Sequence, residues 1–291
     1  MRLDVQSYVE KEKEKLKDNF RSIENPKLMI FSSDANGATK SYLKNKIKVG
    51  GELGVEVIVK NIKSTRELLD EIYYCKHNTI PTILQLPLDN KFLSTAYNAS
   101  AELCDVDGFF RYDEIYNSHV FDNILPATPK GILSYLKHWC YEKDEDLSKL
   151  SVCIFGRGEL VGKPLATMML PHIGSLSIVT SKTDESTVRK YIEASNILVL
   201  CTGKDDLKYI GDYLSDNSVN KLIVDTGVFL GNDNKLHGET YPFLDKIEKF
   251  NIDYTPVPKG VGILTTLNLF KNVLMWYVEK DKANLDMIKE I

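Results

Sequence analysis

Apolar and polar positions alternate along this chain with helical and strand periods in turn. From Val5 to Phe20, the positions Val5, Tyr8, Val9, Leu16 and Phe20 recur at helical spacing among lysines and glutamates, which predicts an amphipathic surface helix. Lys27–Ser32 (KLMIFS) is a short apolar run and predicts a buried strand. Asp34-Ala35-Asn36-Gly37 is turn chemistry. Ala38 to Val49 then predicts a helix ending near Gly50-Gly51, Val55–Val59 a strand, Ser64–Tyr74 a helix with Ser64 as its N-cap, and Thr79–Leu86 a further strand. Strands that alternate with helices in this way imply a parallel α/β layer.

The alternation pauses between Asp122 and Gly131, where Pro126, Pro129 and Gly131 mark a domain junction. A helix over Ile132–Glu142 follows, and then a second run of strands: Ser151–Phe155, Ser175–Thr180, Ile197–Cys201 and Leu222–Asp225. Their spacing of roughly twenty to twenty-five residues leaves space for a helix between each pair, as in a Rossmann-like unit. After Thr255-Pro256-Val257-Pro258-Lys259-Gly260-Val261-Gly262 the chain enters a long helix, Leu264 to Lys280.

Composition narrows the class. The 291 residues are 43% hydrophobic and 27% charged, proportions of a globular chain. Acidic residues number 41 and basic residues 37, a net charge of −4, which argues against a main task of gripping nucleic acid or an anionic membrane. The charged N-terminus has no apolar core of a signal peptide, and no run of 18 apolar residues predicts a membrane span. Cys75, Cys104, Cys140, Cys153 and Cys201 form no CxxC pair, and the scattered histidines form no HExxH. Neither a disulfide scaffold nor a metal site is expected, and a reducing, cytoplasmic compartment is.

Two stretches carry candidate chemistry. Ser151–Phe155 runs into Gly156-Arg157-Gly158-Glu159-Leu160-Val161-Gly162-Lys163-Pro164. Glycines let a backbone turn tightly against a pyrophosphate, and the following helix N-terminus offers free N–H groups. The spacing is GxGxxxG, which fits either a dinucleotide loop or an ordinary glycine-rich strand-to-helix turn. The next strand ends Thr180-Ser181-Lys182-Thr183, with no acid before Asp184, whereas an NAD site places Asp or Glu there for the ribose hydroxyl. A hydroxyl, Lys182 and Arg157 could instead receive a 2′-phosphate, which tilts the cofactor toward NADP. The alternative is a solvated Lys182, and an inward Glu159 would repel a phosphate. Tyr42 and Lys46 share a helix face. By spacing alone such a pair is more often a packed tyrosine beside a solvated lysine than a catalytic pair. Gln85 could hydrogen-bond that lysine, and Asp105 and Asp107 either cap local structure or bind a heterocycle with adjacent N–H donors.

In chain order, Ser41-Tyr42-Leu43-Lys44-Asn45-Lys46, Gln85-Leu86-Pro87-Leu88, Asp105-Val106-Asp107-Gly108-Phe109, Thr128-Pro129-Lys130-Gly131, Gly156-Arg157, Val161-Gly162-Lys163-Pro164, Asp225-Thr226-Gly227, and Thr255-Pro256-Val257-Pro258 with Gly260-Val261-Gly262 make the sequence resemble one family. It is the methylenetetrahydrofolate dehydrogenase/methenyltetrahydrofolate cyclohydrolase family, the bifunctional FolD-type enzymes. The resemblance runs from Ser41 to about Leu269. It implies an α/β fold of two domains. Residues 1–124 with the C-terminal helix, 263–291, would form a folate-binding catalytic domain. An inserted Rossmann-like NAD(P)-binding domain would span 125–262, with the active site in the cleft between the two. It implies oxidation of 5,10-methylenetetrahydrofolate with NADP (NAD being possible), hydrolysis of the methenyl product to 10-formyltetrahydrofolate, and a homodimer. Lys46 would be the catalytic lysine, with Tyr42 stacking on or orienting the folate, Gln85 tuning Lys46, and Asp107 anchoring the pterin ring. Leu86, Pro87, Pro258, Gly260, Gly262 and Thr265 would complete the substrate site. Gly156, Arg157, Gly158, Val161, Gly162, Ser181, Thr202 and Gly227 would form the cofactor site.

Some positions depart from the family pattern. Gly158 replaces the usual polar residue of the loop, Lys259 stands where the family has glycine, Ile263 and Leu264 alter the folate wall, Ala127 replaces a cysteine, and Thr180 replaces a histidine near the 2′-phosphate. The competing readings are a monofunctional NAD(P)-dependent methylenetetrahydrofolate dehydrogenase, a shikimate-type dehydrogenase with Lys46 as proton donor, and a non-catalytic folate or nucleotide binder.

Overall fold

The computed structural model describes residues 1–33, 37–110, 124–204, 207–215, 219–231, 233 and 235–280. The predicted turn at Asp34–Asn36 and the start of the junction at Asp122-Asn123 lie outside them. The chain divides into two compact units. One comprises Glu10–Ala127 with Thr266–Ile291, the other Met1–Val9 with Thr128–Thr265.

The first unit is built on three parallel strands, β1 (Lys27–Ser32), β2 (Glu56–Asn61) and β3 (Thr82–Leu84), in the order β2-β1-β3. Central β1 is buried on both faces, as a parallel strand must be when helices cover it. Met29, Phe31, Leu68, Ile72, Leu84 and Phe92 make one cluster there. Ser64 caps the Thr65–His77 helix, its Oγ accepting from Glu67 N at 3.1 Å. The helix predicted to stop at Gly50-Gly51 runs on, spanning Gly37–Leu53. Gly50 is there for close approach, because a Cβ at that position would lie 2.3 Å from Val57 Cγ2 on β2. The last strand is shorter than predicted. Pro81 lacks an N–H group and Thr79 takes φ +55, so regular strand pairing cannot begin at the start of the run. The Asn90–Asn98 helix was not predicted, since Phe92 and Ala96 are its sole buried side chains and nine residues give little periodicity.

The second unit carries β4 (Ser151–Phe155), β5 (Ser175–Val179), β6 (Ile197–Leu200), β7 (Leu222–Asp225), the antiparallel pair β8 (Phe229–Leu230) and β9 (Leu236–His237), and β10 (Asp253–Tyr254). The parallel sheet has the order β10-β7-β6-β4-β5. The four predicted strands agree to within a residue at their ends. From β4 the chain steps to one side for β5, then crosses to the other for β6. This makes a topological switch point at the carboxyl ends of β4 and β6, where open α/β sheets bind ligands. The Ala127–Lys143 helix begins five residues before the predicted Ile132. Its first turn accepts Pro129, because no intrahelical N–H is needed there.

The Val261–Lys280 helix is long and apolar enough to cross a membrane, but its apolar stretch is mostly buried, so its apolar sides serve packing.

Asp253 locks β10 to the Ala127–Lys143 helix. Its Oδ2 accepts from Trp139 Nε1 at 2.9 Å and pairs with Lys143 Nζ at 2.7 Å. Burial alone would raise the carboxyl pKa, yet Lys143, Trp139 and the terminal amine overcome that and hold it below the ordinary value. A depressed folded-state pKa stabilises above the unfolded value, about 4, and that contribution vanishes as pH falls toward the folded value. Asp253→Asn is expected to cost about 1–3 kcal/mol at neutral pH. Its melting temperature should also fall less steeply than the unaltered protein's between about pH 5 and pH 3. Parallel curves over that range would refute the assignment.

Candidate active site

In the first unit the helix over Gly37–Leu53 presents Tyr42 and, one turn later, Lys46. Lys46 is 8% exposed, and its Nζ donates to Gln85 Oε1 at 2.9 Å. Gln85 stands just past β3, its backbone N donating to Phe31 O at 2.8 Å. Its Nε2 donates to Leu86 O at 2.9 Å, which leaves the carbonyl end of the amide for the lysine. Burial pushes the Lys46 pKa down from the ordinary lysine value, and the charge of Asp107 works against that shift. Tyr42 remains 42% exposed, and partial burial raises its phenol pKa, so it offers a neutral aromatic face. Leu86 and the cis-linked Pro87 follow directly.

The structure separates the two candidate carboxylates. Asp105 is buried and spends its side chain on backbone. Oδ1 accepts from Asp107 N at 3.0 Å and Gly108 N at 3.2 Å, and Oδ2 from Phe110 N at 2.9 Å. Asp107 is half-buried and acts electrostatically on Lys46. Its loop is held rigidly. Gly108 has φ +76, and a Cβ there would lie 2.7 Å from Pro126 N. Asn272 of the last helix donates to Val106 O and Leu125 O at 2.8 and 2.7 Å. Asn272 has no sequence signature, since it lies in an apolar helix far from every motif.

In the second unit, Gly156 ends β4 at φ +107, and a Cβ there would meet Cys201 O at 2.6 Å. Gly162 opens the following helix, where a Cβ would fall 2.3 Å from Gly156 O. Val161 stands as the residue before that helix. The turn therefore needs both glycines. Gly158 differs, having open space around a Cβ. Beside the turn is a cavity of about 460 Å³, lined among others by Arg157, Gly158, Thr180, Ser181, Lys182 and Thr202. Lys204 and Tyr209 also line it, and no motif singled them out. Asp184, the first acid after β5, accepts from Thr187 N at 3.0 Å as a helix cap, and its hydrogen bonds to Ser186 and Thr187 lower its pKa. Its carboxylate already accepts from Ser186 and Thr187 of its own helix. Glu159 pairs with Lys163 at 3.1 Å.

The remaining expected residues also lie in the second unit. Gly227 packs at the end of β7, where a Cβ would be 2.4 Å from Glu239 Cγ. Pro258 follows a cis peptide bond, and Gly260 presses on Pro256 O, 2.2 Å from a would-be Cβ. Gly262 has open space there. Thr265 Oγ1 shares a hydrogen bond with Thr128 Oγ1 at 3.0 Å. Lys259 takes φ +75, a conformation suited to glycine, so the segment keeps a glycine-type shape despite its side chain. Among the described residues, no three His, Cys, Asp or Glu side chains group to hold a metal.

A parallel sheet with a glycine turn, a cavity and a cationic rim at its switch point defines a dinucleotide-binding protein of the Rossmann class. Residues 126–281 match the family model described as tetrahydrofolate dehydrogenase/cyclohydrolase, NAD(P)-binding domain. The bifunctional protein FolD of Mycoplasma capricolum is 30% identical over 260 residues, which is 87% of each chain. That of Ligilactobacillus salivarius is 30% identical over 266 residues, 86% of this chain and 85% of its own. The crystal structure of the bifunctional enzyme FolD, methylenetetrahydrofolate dehydrogenase/cyclohydrolase, from Campylobacter jejuni superposes with a TM-score of 0.81 at 25% identity, covering 97% of this chain and 99% of its own. The chain belongs to the tetrahydrofolate dehydrogenase/cyclohydrolase family.

Glycine geometry at the turn gives paired expectations. Gly162→Ala should weaken NADPH binding at least roughly tenfold, because backbone must move to admit the methyl group. Gly158→Ser should leave it within about twofold, because its side chain enters open space. Quenching of NADPH fluorescence measures both, and equal affinities in the two variants would refute the account.

Proposed function

We propose that this chain oxidises 5,10-methylenetetrahydrofolate with NADP to the 5,10-methenyl cation and hydrolyses that cation to 10-formyltetrahydrofolate. The observation that carries the reading is the buried Lys46 amine on Gln85, with Asp107 acting on its charge. The dinucleotide supplies the hydride acceptor. The protein's share of that step is positioning, since the lone pair of a ring nitrogen expels the hydride.

Hydrolysis asks more of the chain. A water must attack the methenyl carbon and lose a proton; the bond from that carbon to N5 then breaks, with the remaining hydroxyl proton passing to N5, and leaves the formyl group on N10. A lysine whose burial favours the neutral amine can take that proton from the water at Nζ. A cationic substrate pushes the lysine further toward neutrality. Gln85 Oε1 aims the amine and cannot itself take the proton. Asp107 accepts from the N–H donors of the pterin, and Tyr42 offers a face for stacking. Leu86, Pro87, Pro258, Gly260, Gly262 and Thr265 complete the folate site. Gly156, Arg157, Gly158, Val161, Gly162, Ser181, Thr202 and Gly227 form the cofactor site.

NADP is favoured over NAD by the capping role of Asp184 and by Arg157, Ser181 and Lys182 on the cavity wall. The retained Lys46–Gln85 pair favours the bifunctional enzyme over the monofunctional dehydrogenase. A cytoplasmic homodimer completes the proposal, supported by the family resemblance and by cysteine usage without a disulfide pattern.

Absorbance-monitored oxidation of methylenetetrahydrofolate, with NADP and NAD in parallel, followed by decay of the methenyl product, tests both activities. Lys46→Met is expected to lower methenyl hydrolysis by roughly 100-fold or more while leaving NADPH affinity unchanged. In the unaltered enzyme, hydrolysis should rise with pH as Lys46 loses its proton. The inflection should lie below the ordinary lysine range, because burial lowers that pKa. Full hydrolysis by Lys46→Met would rule out the mechanism.

A further inference from the structure

The turn at the end of β6 hangs from a side chain that no motif singled out. Glu239 follows β9 and is 0% exposed. Its Oε1 accepts from Gly203 N at 2.8 Å, and its Oε2 from Thr202 N at 3.2 Å and Thr202 Oγ1 at 2.9 Å. A carboxylate is acceptor-only and matches these donors, whereas an amide would turn its own NH₂ against an N–H. The glutamate is fixed in turn. Its backbone N donates to Asp225 Oδ1 at 3.0 Å, and its Cγ fills the space that the missing Cβ of Gly227 leaves. Asp225 is itself buried, its carboxylate also accepting from Gly227 N at 3.0 Å and Thr240 N at 2.8 Å. The Asp225-Thr226-Gly227 motif thus serves to seat Glu239.

What Glu239 holds is one wall of the cofactor cavity. Gly203 has φ +68, Thr202 and Lys204 line the cavity, and Thr202 Oγ1 also accepts from Lys204 N at 3.1 Å.

We propose that Glu239 is a positioning residue for the dinucleotide, fixing the Thr202–Gly203–Lys204 turn without touching the reacting atoms. The inference rests on the cofactor use proposed above and extends it to a residue outside the glycine loop. Glu239→Gln in the full chain should raise the Kd for NADPH and the KM for NADP roughly tenfold. The dehydrogenase kcat at saturating NADP and the KM for methylenetetrahydrofolate should shift by no more than about twofold. Glu239→Asp, which keeps the charge one methylene short, should recover part of the affinity. Methenyl hydrolysis without added dinucleotide reports on the fold. Unchanged NADPH affinity in Glu239→Gln would overturn the proposal, and so would an equal loss of affinity and hydrolysis, which would mark a purely structural residue. Should Glu239→Gln fail to fold, Thr202→Val removes one donor and leaves the glutamate, and unchanged NADPH affinity there would overturn it as well. NADPH binding without oxidation of methylenetetrahydrofolate by the unaltered chain would instead count against the proposed function, and the Glu239 comparison would stand on binding alone.

Discussion

Burying an ammonium strips it of water that a protein seldom replaces in full, and the first unit is organised around that cost at Lys46. The helix that carries the lysine lies on β2 through Gly50, and Gln85 comes off β3 with its amide already oriented by Leu86 O. Asp107 supplies the opposing charge from a loop that Asp105, Gly108 and Asn272 immobilise. Were any of these supports to slacken, the amine would regain solvent and its ordinary basicity. The same scaffold that hides Lys46 therefore makes it chemically useful.

Much of this was legible in the sequence for a physical reason. Parallel strands are nearly continuous apolar runs, so β4 and β7 could be bounded to the residue. The glycine turn declared itself because close backbone contact permits no other residue at positions 156 and 162. Spacing alone could not separate Asp105 from Asp107. Both are aspartates in one turn, and the difference is that one faces three N–H groups while the other faces the lysine. Asn272 and Glu239 were silent for a related reason: a side chain that holds backbone leaves no periodic trace. Gly50-Gly51 misled in the opposite sense, as packing overrode the low helix propensity of glycine.

In the second unit one glycine-type conformation is held by a residue that is not glycine. Lys259 occupies a glycine-type conformation flanked by Pro258 and the crowded Gly260, so its neighbours dictate the local shape. The side chain that results is exposed, and the cost is conformational rather than steric.

Gly158 leaves a vacancy of a different kind. Gly158 lines the cofactor cavity and is exposed, with open space where a Cβ would stand. At this point the cavity wall is backbone alone, so a nucleotide lying there would meet peptide groups and solvent rather than a side chain.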